Sequence, residues 1–310
     1  MPVVPAEVFK CLHASRLAHY RAVAGGQDAD ALALYEWNIE LASALQDPLG
    51  IAEVAVRHAI DTQLSNWSQQ HGHGADWINY IAHIPYLSGP AVFTTTRHKL
   101  YKAADQSRRS RPASHPRHGD AITHDDLVAH VMFGTWASLL PEKFDASWVD
   151  PNGNPVQNQV NLQARRDLWR NCLHGGFPNV KQDPRGYGTG NKVRDLRKLR
   201  NRVSHMDSLL YVDVKHLHDR VLLPLLNSIS YDLHDWVDGR SQVRANASSK
   251  AGKYNVMTYR RICTYTSLRH TPGQGAVLRC LAGDLRLFRP PSIAVPRSPP
   301  FSIGDVPVEL

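Results

Sequence analysis

The run Arg200-Asn201-Arg202-Val203-Ser204-His205 sets a permanent cation, an amide and a titratable imidazole within one and a half helical turns. Histidine, with a reference pKa of about 6.5, can take the proton from a ribose 2′-hydroxyl or return one to a leaving 5′-oxygen. Arginine stays charged and grips phosphate with a planar fork that suits the developing charge of a phosphorane. Together they are a kit for cutting RNA without a metal. The expected products are a 2′,3′-cyclic phosphate and a free 5′-hydroxyl.

On a helix, Arg197, Asn201 and His205 stand four apart and share a face. Arg200 and His205 are five apart, which turns them about 140° from each other. One helix therefore does not aim both groups at one atom, and the spacing favours a composite site built from two copies of the motif. Asn201 is expected to orient the imidazole or the phosphate. Arg194, Arg197, Lys198 and Arg202 surround the kit, either as a phosphate-gripping face or as an ordinary solvated one.

Charge placement agrees with a polyanionic partner. The chain has 310 residues and a formal net charge of +8. Residues 181–205 alone hold eight Lys/Arg against two Asp. A hydrophobic fraction of 42% indicates a globular chain. No apolar run is long enough for a membrane span, and the N-terminus lacks the apolar stretch of a signal peptide, so a cytoplasmic protein without membrane contact is expected. Cys11, Cys172, Cys263 and Cys280 are scattered and form no C-x-x-C pair, which predicts four ordinary thiols. His71 with His73 and His216 with His218 lack a clustered carboxylate or thiol partner set, so no metal and no cofactor is expected.

The elements that must position these residues read as helices. Residues 29–44 and 49–67 carry apolar stripes at three- and four-residue spacing, and Asp47-Pro48 divides them into two predicted helices. Residues 104–120 are basic and poor in apolar anchors, predicting a mobile loop that either meets RNA or is solvated. Thr123 with Asp126 forms a capping box for a buried helix over 127–140, in which Phe133 and Trp136 are core residues. A basic amphipathic helix is predicted over 162–173, and Gly186–Gly190 as a flexible connection into the motif helix at 192–208. A further helix is expected over 212–226, with Pro224 as a kink or restart. The domain reading is a helical unit over 1–240 and a polar to proline-rich extension over 241–310, partly disordered.

Residues Leu196 to His205 resemble the signature helix of the Abi-like, or abortive-infection, proteins within the HEPN superfamily. Tyr35-Glu36-Trp37-Asn38 with Leu41, Glu53 to Ile60, Asp126 to Trp136, and Leu168-Trp169-Arg170 with Phe177-Pro178 resemble further blocks of that family, in family order. The resemblance covers about residues 20 to 240. It implies an all-α, HEPN-type helical bundle and a homodimer in which two R-x4-6-H motifs meet. It also implies a metal-independent endoribonuclease of a phage-defence or toxin–antitoxin system, acting on tRNA or mRNA, with an antitoxin protein as a further partner. Arg200 and His205 would be the catalytic pair, Asn201 the polar residue after the arginine, and Glu53 and Arg57 a supporting charge pair between bundle helices. The chain departs from the family in His205-Met206-Asp207, where His-His-Glu is common, and in His58, where asparagine is common. One imidazole per subunit then has to be complemented by a second subunit. The other readings are a non-catalytic RNA-binding or regulatory protein, and a structural helical dimer.

Overall fold

The computed structural model describes residues 5–84, 94–143 and 162–249. All of them lie in one compact unit, residues 1–268. Among the described residues the fold is an all-α bundle, organised around one helix, Asp28–Gln70, of 43 residues and about 65 Å. The helices Ala14–Val23, Phe133–Leu139, Tyr187–Ser204, Leu223–Ile229 and Val243–Ser249 pack against it. No described helix is long and apolar enough to cross a membrane.

The expected break at Pro48 does not occur, because the chain stays helical through it. An internal proline loses a hydrogen bond and crowds the preceding turn, at about 3 kcal/mol. The apolar stripe continues unbroken across it through Leu41, Leu45, Leu49 and Ala52, each at most 2% exposed. At about 1.5–3 kcal/mol per buried leucine, that stripe outweighs the proline.

The capping box forms as expected: Asp126 donates its backbone N–H to Thr123, and the Asp126 carboxylate accepts the Thr123 N–H at 2.9 Å. The predicted helix over 127–140, however, is two helices, His124–Ala129 and Phe133–Leu139. The local reason is a strand-like alternation at the junction. Val131 and Phe133 are buried at 1% and 2% while Met132 is 75% exposed, an arrangement that helical spacing would not give. Phe133 and Trp136 are core residues, as read.

The basic stretch 104–120 is not a free loop. Its first residues finish the helix Thr94–Arg109. Beyond it, Arg111 and Arg117 close on the Asp126 carboxylate at 2.9 and 2.7 Å. The hydrogen bond from Arg117 holds that carboxyl far below the usual range, helped by Thr123 against a smaller opposing effect of burial.

The helix predicted over 162–173 spans Leu162–Asn171, followed by a 3-10 turn at Leu173–Gly176. Past Asp213, a helical run covers Val214–His216, a π segment Leu217–Leu222, and the helix Leu223–Ile229 with Pro224 in its first turn. The wider π turns lie immediately before the residue that has no N–H to give. The helices Tyr231–Arg240 and Val243–Ser249 bury Val237 and Val243 completely, so the bundle continues past the boundary expected at 240. Residues 250–310, which hold the proline-rich extension, lie outside the described residues.

Candidate phosphate-handling site

The motif helix runs Tyr187–Ser204, five residues earlier in its start than expected. Gly186 begins it in the left-handed conformation at φ 69°, where a Cβ would meet the Trp169 ring at 2.6 Å. The Asp183 carboxylate accepts the Thr189 N–H at 2.7 Å and so satisfies one free donor of the first turn. Gly190 lies against the Pro141 carbonyl with no room for a side chain. The glycine-rich segment is thus a packed helix start rather than a flexible connection. Val193, Leu196, Leu199 and Val203 supply the buried stripe.

The other end is built with equal care. Ser204 is the last helical residue; His205 caps the helix at φ −92° and ψ 6°, and Met206 follows with φ 51°, the one non-glycine residue with positive φ among the described residues. Met206 N–H donates to Val203 and Asp207 N–H to Arg202, the paired bonds of a Schellman closure. Arg16, from the helix Ala14–Val23, donates to the carbonyls of His205 at 3.3 Å and Met206 at 2.7 Å. Asn38, on the long helix, accepts the Leu209 N–H at 2.7 Å in a buried bond. The Tyr20 hydroxyl hydrogen-bonds to Ser208, and burial raises its pKa despite that bond.

Arg200 is half exposed, and its Nε lies 3.2 Å from Glu53. The other carboxylate oxygen of Glu53 faces Arg57 at 3.6 Å. Glu53 and Arg57 stand four apart on the same helix, so their pair lies within it rather than between bundle helices as expected, and it is Arg200 on Glu53 that ties the motif helix to the long one. His205 and Asn201 are exposed, and neither side chain has a hydrogen-bond partner among the described residues.

The four cations expected to grip RNA divide between different surroundings. Lys198 is exposed and 3.3 Å from Asp195. Arg202 is exposed and reaches back to the Ser208 carbonyl at 3.3 Å. Arg194 turns inward, donating to the Leu140 and Pro141 carbonyls and facing Glu142 at 3.6 Å. Burial pushes its pKa down, partly offset by Glu142. Arg197 is half-buried, and its guanidinium lies beside Gly134, where a Cβ would be 3.5 Å from Nη1.

Sequence reasoning missed Arg16, 189 residues from His205, and nothing local signals it. It also missed Arg165, whose signal was present: Arg165, Leu168 and Trp169 share a helix face, and all three are buried. Arg165 donates to Glu142 at 3.3 Å. His218 is fully buried between Asp219 at 2.7 Å and Ser241 at 2.8 Å. Although Ser241, His218 and Asp219 follow the order of a hydrolase triad, the Ser241 oxygen accepts the Val243 N–H. The network is a tie between helices. No group of three or more His, Cys, Asp or Glu is placed to hold a metal ion among the described residues.

No family model, curated protein or solved structure matches this chain. The comparisons give no support to the resemblance read from the sequence blocks. An all-helical bundle is common to many families, so the fold does not restore it. The names Abi-like and HEPN, and the abortive-infection, phage-defence and toxin–antitoxin labels that came with them, have no support and are withdrawn. The chemistry of the residues themselves remains.

Proposed function

We propose that the protein binds RNA phosphates along the motif helix and that Arg200 and His205 cut the strand without a metal, in a site completed by a second copy of the chain. The observation that carries this reading is the Glu53–Arg200 contact. It holds the guanidinium on its Nε side at the surface end of the helix, a turn and a half from an imidazole that no described side chain occupies. In the proposed step one imidazole removes the 2′-hydroxyl proton, and O2′ attacks phosphorus. Arg200 stabilises the dianionic phosphorane, and O5′ leaves with a proton from the partner's imidazole. Asn201, one turn before His205, orients the ring or a phosphate oxygen.

Glu53 also supports a second reading, RNA binding without cleavage, because its carboxylate offsets part of the Arg200 charge. Incubating purified protein with total RNA in EDTA separates the two. Cleavage should persist in chelator, leave 2′,3′-cyclic phosphate ends, and fall by about 100-fold or more in Arg200→Ala and in His205→Ala. Wild-type rates in these folded variants would remove both residues from the site. RNA binding without strand cleavage by folded wild type supports the second reading. Light scattering of the wild type reads the copy number directly.

A further inference from the structure

A cavity of about 420 Å3 opens between the motif helix and the helices Phe133–Leu139 and Leu162–Asn171. Arg165, Arg194, Arg197 and Lys198 line it, against only Glu142 and Asp195. Four cations thus face two carboxylates. The acids are also committed, since Glu142 serves both Arg165 and Arg194 while Asp195 pairs with Lys198.

Burial makes this surplus informative. The side chains of Arg165 and Arg194 are 9% and 13% exposed, so water screens them poorly. Arg165 Nε and Arg197 Nε are both buried with no hydrogen-bond partner. Arg197 has no ion-pair partner among the described residues, and the bare Gly134 backbone lets its guanidinium lie against the neighbouring helix. A cluster of like charges, partly dehydrated and underpaired, costs stability unless an anion completes it. Arginine forks match the oxygen spacing of phosphate. The volume is within the usual range of small-molecule sites, with room for a phosphate and the group it is attached to.

We propose that this cavity is a binding site for a phosphate monoester, whose dianion matches the two surplus positive charges. Its source is either a free mononucleotide or the terminal phosphate of an RNA strand. Arg197 and Lys198 contact the phosphate, and Arg165 and Arg194, held in place by Glu142, provide the positive wall behind it. Neither Arg200 nor His205 lines this cavity. Arg197 and His205 are eight residues, or about 12 Å along the axis, apart.

The test is calorimetric titration of the full chain with inorganic phosphate, adenosine 5′-monophosphate, and a short RNA carrying a 5′-phosphate or a 5′-hydroxyl. Saturable binding of a phosphate-bearing probe is expected, weakened at least ten-fold by Arg197→Ala and by Lys198→Ala. Lys198 is largely exposed, so its replacement leaves the fold intact if Arg197→Ala does not. A preference of ten-fold or more for the 5′-phosphate RNA over its hydroxyl twin identifies a strand end as the occupant. Equal binding of the two RNAs, with saturable binding of the mononucleotide, identifies a free ligand. No saturable binding of any phosphate probe, or binding unchanged by both substitutions, overturns the proposal. These readouts need no strand cleavage, so they stand or fall apart from Arg200 and His205.

Discussion

Met206 occupies a position that the Schellman closure normally gives to glycine, and its φ of 51° is strained for a side chain. Met206→Gly relieves that strain but adds freedom to the unfolded chain, leaving a net gain of about 0.5–1 kcal/mol, readable as a higher urea midpoint. The imidazole that the closure presents was legible from residue type and spacing. The Arg16 clamp beneath it was not, because it depends on how the N-terminal helix docks.

His124 is a second residue whose environment is set from afar. Its Nε2 faces Asp61 at 2.9 Å, on a carboxylate that also accepts the Trp77 indole N–H. Burial lowers the imidazole pKa, but the Asp61 hydrogen bond and the Asp61, Asp76 and Asp125 charges outweigh it, so the pKa is raised. A raised histidine pKa stabilises the fold fully below the unfolded value of about 6.5 and loses that contribution as pH rises through the folded value. Denaturation midpoints of the wild type should therefore fall from pH 6 to pH 8 more than those of His124→Gln. Parallel curves would remove His124 from the pH response.

At the scale of elements, helical periodicity gave the composition of the bundle and the capping box gave the N-cap of one helix, Thr123. Boundaries were less legible wherever tertiary packing overruled local signals. Pro48 signals a break, yet the buried stripe on either side keeps the helix whole. Gly186 to Gly190 signal a loose connection, yet they are small because Trp169 and Pro141 approach so closely. No glycine or proline marks the break at residues 130–132. Pro48→Ala tests the first case. Relief of about 3 kcal/mol of proline cost should exceed the roughly 1.6 kcal/mol lost with two buried methylenes. A higher thermal midpoint is expected, and a lower one would mean that Pro48 is needed for the packing around it.

At the scale of the molecule, the basic surplus surrounds the motif helix rather than being spread evenly. A second cavity of about 550 Å3, lined by Lys143, Lys181, Arg185 and Lys192 among others, shares Asn191 with the arginine-lined one. A polyanion lying along this side would release counterions from several phosphates. Its affinity for RNA should fall steeply with salt, with a log–log slope of about −3 to −5 in fluorescence anisotropy titrations. Replacing Lys192 and Lys198 together should make that slope shallower by about one to two; an unchanged slope would place the RNA elsewhere. The charge asymmetry was visible in the sequence. Its division into inward-facing Arg194 and outward-facing Lys198 was not, since these residues are separated by one helical turn and differ by what packs beside them.

The long helix also sets a rule for how this chain can vary in length. Asn38, Glu53 and Asp61 stand on one unbroken rod, and each meets a partner from a different part of the chain. Inserting one residue between Asn38 and Asp61 would rotate everything beyond it by about 100° and shift it about 1.5 Å. At least one of those three partnerships would then face the wrong way. Natural variants with insertions or deletions are therefore expected outside residues 38–61.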